Sequence, residues 1–109
     1  MTTIGRRSGA EREVILGYFE DGPNLVTMAM NGWASPEPAW WLNLQAEPDA
    51  RVVIRDGQRL VHARAALGDE RVRLWSRWRE LDTGLDSLAA RRSSETAVVI
   101  LEPRAGPNL

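Results

Sequence analysis

The chain opens with TTIGRRSGAERE, which sets Arg6, Arg7 and Arg12 within seven positions and brackets the first pair with Gly5 and Gly9. Glycines let backbone amides turn inward, and guanidinium groups offer forked N–H donors matched to phosphate or carboxylate oxygens. Each such charge-assisted hydrogen bond contributes roughly 1.5–3 kcal/mol. The chemistry on offer is capture of an anion. The same residues also read as a solvated turn whose arginines pair with Glu11 and Glu13.

A second group is aromatic. Trp33, Trp40 and Trp41 fall within nine positions, in a segment that also holds Asn31, Gly32 and Asn43. Flat rings beside irregular backbone can wall a pocket for a planar ligand, with asparagine side chains fixing its orientation. Core packing is the competing reading, and the better one for at least one of Trp40 and Trp41, since helical neighbours face different ways. Trp75 and Trp78 belong to an amphipathic stripe and read as core.

Other chemistries are hard to assemble. His62 is the one histidine and reads as a half-exposed strand residue rather than a base. Without cysteine there is no disulfide, thiolate zinc site or cysteine nucleophile, and metal-ligand spacings are absent. Neither Gly-x-Ser-x-Gly nor a phosphate-binding Walker loop occurs. All 14 basic residues are arginine, which removes Schiff-base lysine chemistry. Set against 15 acids, they also argue against a nucleic-acid-binding face. If the chain is an enzyme, a bound cofactor carries the reaction. The longest apolar run, residues 97–101, is too short to span a membrane, and the expectation is a soluble cytoplasmic protein.

The positioning elements follow from pattern. The 109 residues read as one domain, 1–109, ending in a loose tail over 103–109. Residues 13–19 and 25–30 read as strands of a hairpin about the turn EDGPN. Pro38 starts a short helix over AWWLNLQA. RVVIR and RLVHARAAL flank Asp56-Gly57, a hairpin signal. Asp69 is placed to cap a helix with Val72, Leu74, Trp75, Trp78 and Leu81 on its apolar face and Arg71, Arg73, Arg77 and Arg79 in water. LDSLAARR adds a short helical piece, and residues 96–101 form a buried closing strand. This order predicts a mostly antiparallel small barrel, mostly β with peripheral helices over its openings.

Taken in order, TTIGRRSGAEREV, MAMNGW, PAWWLNLQAEPDARV, LGDERVRLWSRW and RRSSETAVVILEP resemble the deazaflavin-dependent nitroreductase family, oxidoreductases of actinobacteria and mycobacteria that use coenzyme F420. The resemblance implies a split β-barrel of the flavin-mononucleotide-binding kind. It implies Arg6, Arg7, Ser8 and Arg12 as a clamp for the phosphate and acidic oligoglutamate tail of the coenzyme. Ala29, Met30, Asn31, Gly32 and Trp33 fall where the family borders the deazaflavin ring, and Trp40 and Asn43 match its short-helix residues. Two departures bear on the substrate side, where Met30 replaces a frequent serine and Trp33 a small residue. The tyrosines that nitroimidazole-reducing members carry before the last strand are missing. Members also have an upstream helix and a fuller first strand, so a shortened member is expected.

The activity implied is hydride transfer from reduced F420 to an electron-poor small-molecule substrate, such as a quinone, enone, lactone or nitro compound. Tyr18 and bound water are both candidates for the proton donor, and Tyr18 joins Met30 and Trp33 on the substrate side. A homodimer is expected from the apolar surface that so small a barrel exposes. The alternatives are a non-catalytic carrier of the deazaflavin coenzyme, use of flavin mononucleotide (FMN) instead, and a structural barrel without ligand.

Overall fold

The computed structural model describes residues 1–30, 37–55, 57–90, 92 and 95–104. In chain order the strands are β1 (Thr2–Ile4), β2 (Glu11–Glu13), β3 (Phe19–Asp21), β4 (Asn24–Met28), β5 (Asp49–Ile54), β6 (Gly57–Ala65) and β7 (Val98–Pro103). Helix α1 (Ala39–Ala46) precedes β5, while α2 (Gly68–Leu81) and α3 (Leu85–Ala89) lie between β6 and β7. The strands form one antiparallel sheet in the order β2-β1-β5-β6-β7-β4-β3. It is open, with β2 and β3 at its edges, as a split-barrel fold requires.

Alternation gives the sheet two buried faces. Leu25, Val99 and Leu101 point to one side, with Ala50, Val52, Val61 and Ala63, and there they meet Trp40, Trp41 and Leu44 of α1. Val26, Met28, Val98 and Ile100 point to the other, against Leu74 of α2 and Leu85 of α3. Helix α1 thus packs with one face of the sheet, and α2 and α3 with the other. Each fully buried aliphatic side chain of this size stabilises the fold by roughly 1.5–3 kcal/mol, so the central strands hold most of the apolar energy.

Several expectations are corrected. Residues 13–19 are not one strand, because β2 and β3 sit at opposite edges and 14–18 must cross between them. The opening turn is the tip of the β1–β2 hairpin, with Thr3 paired to Arg12. Ile54 pairs with Gly57, so that hairpin turns one residue earlier than Asp56-Gly57. Asp69 lies in the first turn of α2 and Leu67 takes the cap position without a side-chain bond. Val72 and Leu81 are 65% and 68% exposed, which narrows the apolar face of α2 to Leu74 with half-buried Trp75 and Trp78. Arg71 is not in water, since its Nη1 donates to the Thr96 carbonyl at 2.7 Å. The tail starts later than residue 103, because the Arg104 backbone N–H donates to the Leu60 carbonyl at 3.1 Å. His62 is half-exposed as expected, with Nδ1 2.9 Å from Asp49 Oδ1.

Candidate functional site: an arginine hairpin against a tryptophan helix

Two backbone bonds shape the hairpin tip. The Gly5 N–H donates to the Ala10 carbonyl at 2.7 Å and the Gly9 N–H to the Gly5 carbonyl at 2.9 Å. Gly9 has φ +72°, a left-handed conformation that glycine adopts without strain. Gly5 serves by close approach. A Cβ there would meet Ser8 Oγ at 3.1 Å and the Ala10 carbonyl oxygen at 3.2 Å. The Ala10 N–H donates to Ser8 Oγ at 3.2 Å, so the serine completes the turn from inside.

This tip faces α1 across a cleft of about 340 Å³ lined by Gly5, Arg6, Arg7, Ser8, Arg12, Glu13 and Val14 on one side and Ala39, Trp40 and Asn43 on the other. Asn43 is only 4% exposed, and its Oδ1 accepts from the Arg6 backbone N–H at 3.2 Å and from Arg6 Nη1 at 2.8 Å. One side chain thereby locks the hairpin onto the helix. Trp40 and Trp41 are both buried, edge to face with centroids 6.4 Å apart. Trp41 is core, as the sequence suggested for one of the pair, while Trp40 serves the core and walls the cleft as well.

The turn is solvated, with Arg6, Arg7, Ser8 and Arg12 all exposed, but the expected pairing with Glu11 and Glu13 is not formed. Among the described residues, neither Arg7 nor Arg12 carries an ion pair. Glu11 turns instead to Arg51, at 3.3 Å. Three guanidinium groups against the single carboxylate of Glu13 leave the cleft lining with a cationic excess, which attracts an external anion. The resolved pKa displacements lie elsewhere. Asp21 is held below the ordinary carboxylate value by its hydrogen bonds from Arg73, Glu70 by those from Arg64, and Asp86 by those from Arg79 and then Trp75. These groups tie the helices to each other and to the sheet.

Six of the sequence-derived residues thus meet in one cleft: Arg6, Arg7, Ser8, Arg12, Trp40 and Asn43. Ala29 is fully buried, packed in the core beside Trp40 and Trp41. Met30 is half-buried just past β4, and neither it nor Ala29 lines the cleft. Asn31, Gly32 and Trp33 lie outside the described residues. Tyr18 lines a second, smaller cleft of about 150 Å³ with Leu16, Leu25, Thr27, Val52 and Leu101. The two clefts share Val14. Sequence reasoning missed Glu13, Val14 and Ala39 as lining residues, because an acid and two small apolar residues carry no chemical signature.

Comparison with known proteins identifies the family. The family described as F420H(2)-dependent quinone reductase matches residues 1–103. A Mycobacterium tuberculosis (strain ATCC 25618 / H37Rv) protein, Rv3178, named as a candidate F420H(2)-dependent quinone reductase, is 33% identical over 99 residues. That match covers 91% of this chain and 83% of the relative. A solved F420-H2 dependent reductase (FDR-A) superposes with a TM-score of 0.82 at 27% identity, covering 93% of this chain and 90% of that one. A solved domain-swapped dimer shares the fold at 24% identity and a TM-score of 0.74, over 93% and 76% of the two chains. The family match runs along nearly the whole chain, and the solved reductase shares its open antiparallel fold. The chain belongs to the F420H(2)-dependent quinone reductase family and is an oxidoreductase whose cofactor is coenzyme F420.

Proposed function

We propose that the cleft between the arginine hairpin and α1 holds the phosphate and acidic tail of F420. We propose further that the protein reduces a quinone or a related electron-poor unsaturated small molecule, the enone, lactone and nitro classes included. The observation that carries this reading is the set of arginines facing the cleft, with Arg7 and Arg12 free of carboxylate partners among the described residues. The donor set suits the group, since guanidinium forks match both phosphate and carboxylate oxygens. Bound there, reduced F420 supplies a hydride.

The chain's own residues orient and enclose. Arg7 and Arg12 neutralise the anionic tail, and Arg6 is kept in place by Asn43. Ser8 accepts from Ala10 and retains a hydroxyl proton to donate. Trp40 and Val14 present apolar surface that keeps water from the coenzyme. The second cleft adjoins the first at Val14, is mostly apolar and has Tyr18 among its lining residues, which suits a flat, weakly polar acceptor. Met30, Asn31, Gly32 and Trp33 keep the ring-side and substrate-side roles that the family resemblance implies, whereas Ala29, fully buried in the core, supports that segment from behind.

Two experiments test the reading. Arg12→Ala and Arg7→Ala should each weaken F420 binding by about tenfold, with a marked salt dependence. Anaerobic mixing of the protein with reduced F420 and a panel of quinones, enones and nitroaromatics should speed reoxidation above the protein-free background. Parent-like binding by both variants at low ionic strength would remove the clamp, and no acceleration with any acceptor would remove the substrate assignment. A homodimer is also proposed, because Ile15 and Val53 are 99% and 74% exposed beside half-exposed Tyr18. Sedimentation of the F420-bound protein as a monomer at tens of micromolar would contradict it.

A further inference from the structure

Arg92 lies in a stretch, ARRSSE, where the sequence shows only charge and small polar residues, yet its side chain is 0% exposed. Its Nη1 donates to the Ala29 carbonyl at 2.9 Å and to Thr96 Oγ1 at 2.8 Å, and its Nη2 lies 3.3 Å from Glu37 Oε1. A buried guanidinium is tolerated only when its donors are met and its charge is paired. Here the acceptors come from three separate places: the end of β4, the approach to β7 and the residue before Pro38.

That last contact matters because of how α1 begins. Pro38 occupies its cap position with no side-chain cap, and its first turn holds no acidic residue. Apart from the fixed backbone of Pro38, the side-chain cap and first-turn carboxylate that commonly secure a helix start are therefore missing. Glu37, one residue upstream, is bound to a guanidinium anchored in the core. Asn43 is bound to Arg6 further along the helix. Between these two ties stands Trp40, on the wall of the cleft.

We propose that Arg92, acting through Glu37 and the Ala29 carbonyl, is a positioning residue for the coenzyme cleft. It sets where α1 starts, and so how Trp40 and Asn43 are presented to the arginine hairpin. The proposal rests on the reading of that cleft as the F420 site. The planar fork is essential, because it reaches acceptors on three segments at once and an ammonium group does not reproduce that geometry.

The test compares Arg92→Lys and Glu37→Gln with Thr96→Val, which removes one acceptor of Arg92 without touching α1. Two quantities are read well below the melting temperature. One is the F420 dissociation constant. The other is the near-ultraviolet circular dichroism of the coenzyme-free protein, in which the Trp40–Trp41 contribution is identified by Trp40→Phe. Arg92→Lys and Glu37→Gln should raise the dissociation constant by about three- to tenfold and diminish the Trp40–Trp41 signal. Thr96→Val should lower the melting temperature alone. If the first two lower the melting temperature but leave the dissociation constant within about twofold and the signal intact, the pair only holds the fold and the proposal is overturned. Should Arg92→Lys fail to fold, the nearly isosteric Glu37→Gln decides. Failure of the parent to bind F420 would overturn the reading of the cleft, while the dichroism, measured without coenzyme, would still decide whether Arg92 places α1.

Discussion

Replacing Asn43 by leucine keeps the side-chain volume and removes the oxygen on which Arg6 closes. Two hydrogen bonds are lost, one charge-assisted at 2.8 Å and one from the backbone at 3.2 Å. Taken separately they are worth roughly 1.5–3 and 0.5–1.5 kcal/mol. Arg6 is exposed and water re-solvates it, so the net cost is smaller, about 1–2 kcal/mol. If that cost falls on the arrangement that binds F420, the dissociation constant rises roughly 5- to 30-fold. A titration following tryptophan quenching measures it. The decisive form is a double-mutant cycle with Arg6→Ala. If Asn43 acts through the Arg6 side chain, Asn43→Leu should cost only the backbone bond once that side chain is gone. The two changes should then fall short of additivity by about 1 kcal/mol. Additivity within about 0.5 kcal/mol would show that Asn43 contacts the coenzyme independently, and the argument for its role through Arg6 would fail.

Gly5→Ala forces a Cβ against the Ala10 carbonyl and Ser8, and should destabilise the protein by about 1–3 kcal/mol and weaken F420 binding; unchanged melting and binding would contradict the packing argument. Tyr18→Phe should lower turnover with quinones while leaving F420 affinity within about twofold, because Tyr18 lines the second cleft and not the first; an equal loss of coenzyme binding would move Tyr18 to the coenzyme side. Asp21 titrates below its ordinary 3.8, chiefly through its hydrogen bonds from Arg73. Its contribution to stability is therefore present above that ordinary value and lost as pH falls through the depressed one. Asp21→Asn should melt below the parent at neutral pH, and melting curves taken in increasing acid should converge; a constant gap would refute the linkage.

Most of the fold was legible because β4 and β7 are near-continuous apolar runs and β5 and β6 alternate, with turn residues marking the hairpins. The β1–β2 hairpin was not. Glu11, Arg12 and Glu13 make an exposed edge strand, and charges on an edge deter pairing with other chains while erasing the apolar pattern that marks a strand. Residues 14–18 misled for the opposite reason. They are apolar because they line a cleft while crossing between edges, not because they belong to a ladder. The arginine turn stood out in the sequence as a cluster of guanidinium groups, but a paired, solvated turn has the same composition. Only the structure shows that Glu11 turns to Arg51 instead. Arg92 did not stand out, because burial of a single arginine is decided by Ala29, Glu37 and Thr96, which sequence distance keeps apart.

The attachment of the hairpin has a thermodynamic consequence. β1 meets β5 in register at Thr2 and Arg51, whereas β5 and β6 pair along six positions. The arginines therefore ride on the part of the sheet with the fewest ladder bonds, where local opening takes less free energy than global unfolding. A ligand that binds only the closed hairpin deepens that well, by about 2.7 kcal/mol at a hundred times its dissociation constant. Coenzyme at that concentration should slow amide exchange in β1 and β2 by about a hundredfold and leave β6 and β7 nearly unchanged. On the proposed reading of the cleft, the anion would act as the missing neighbour of an edge hairpin, making cofactor supply and the local rigidity of this edge one variable.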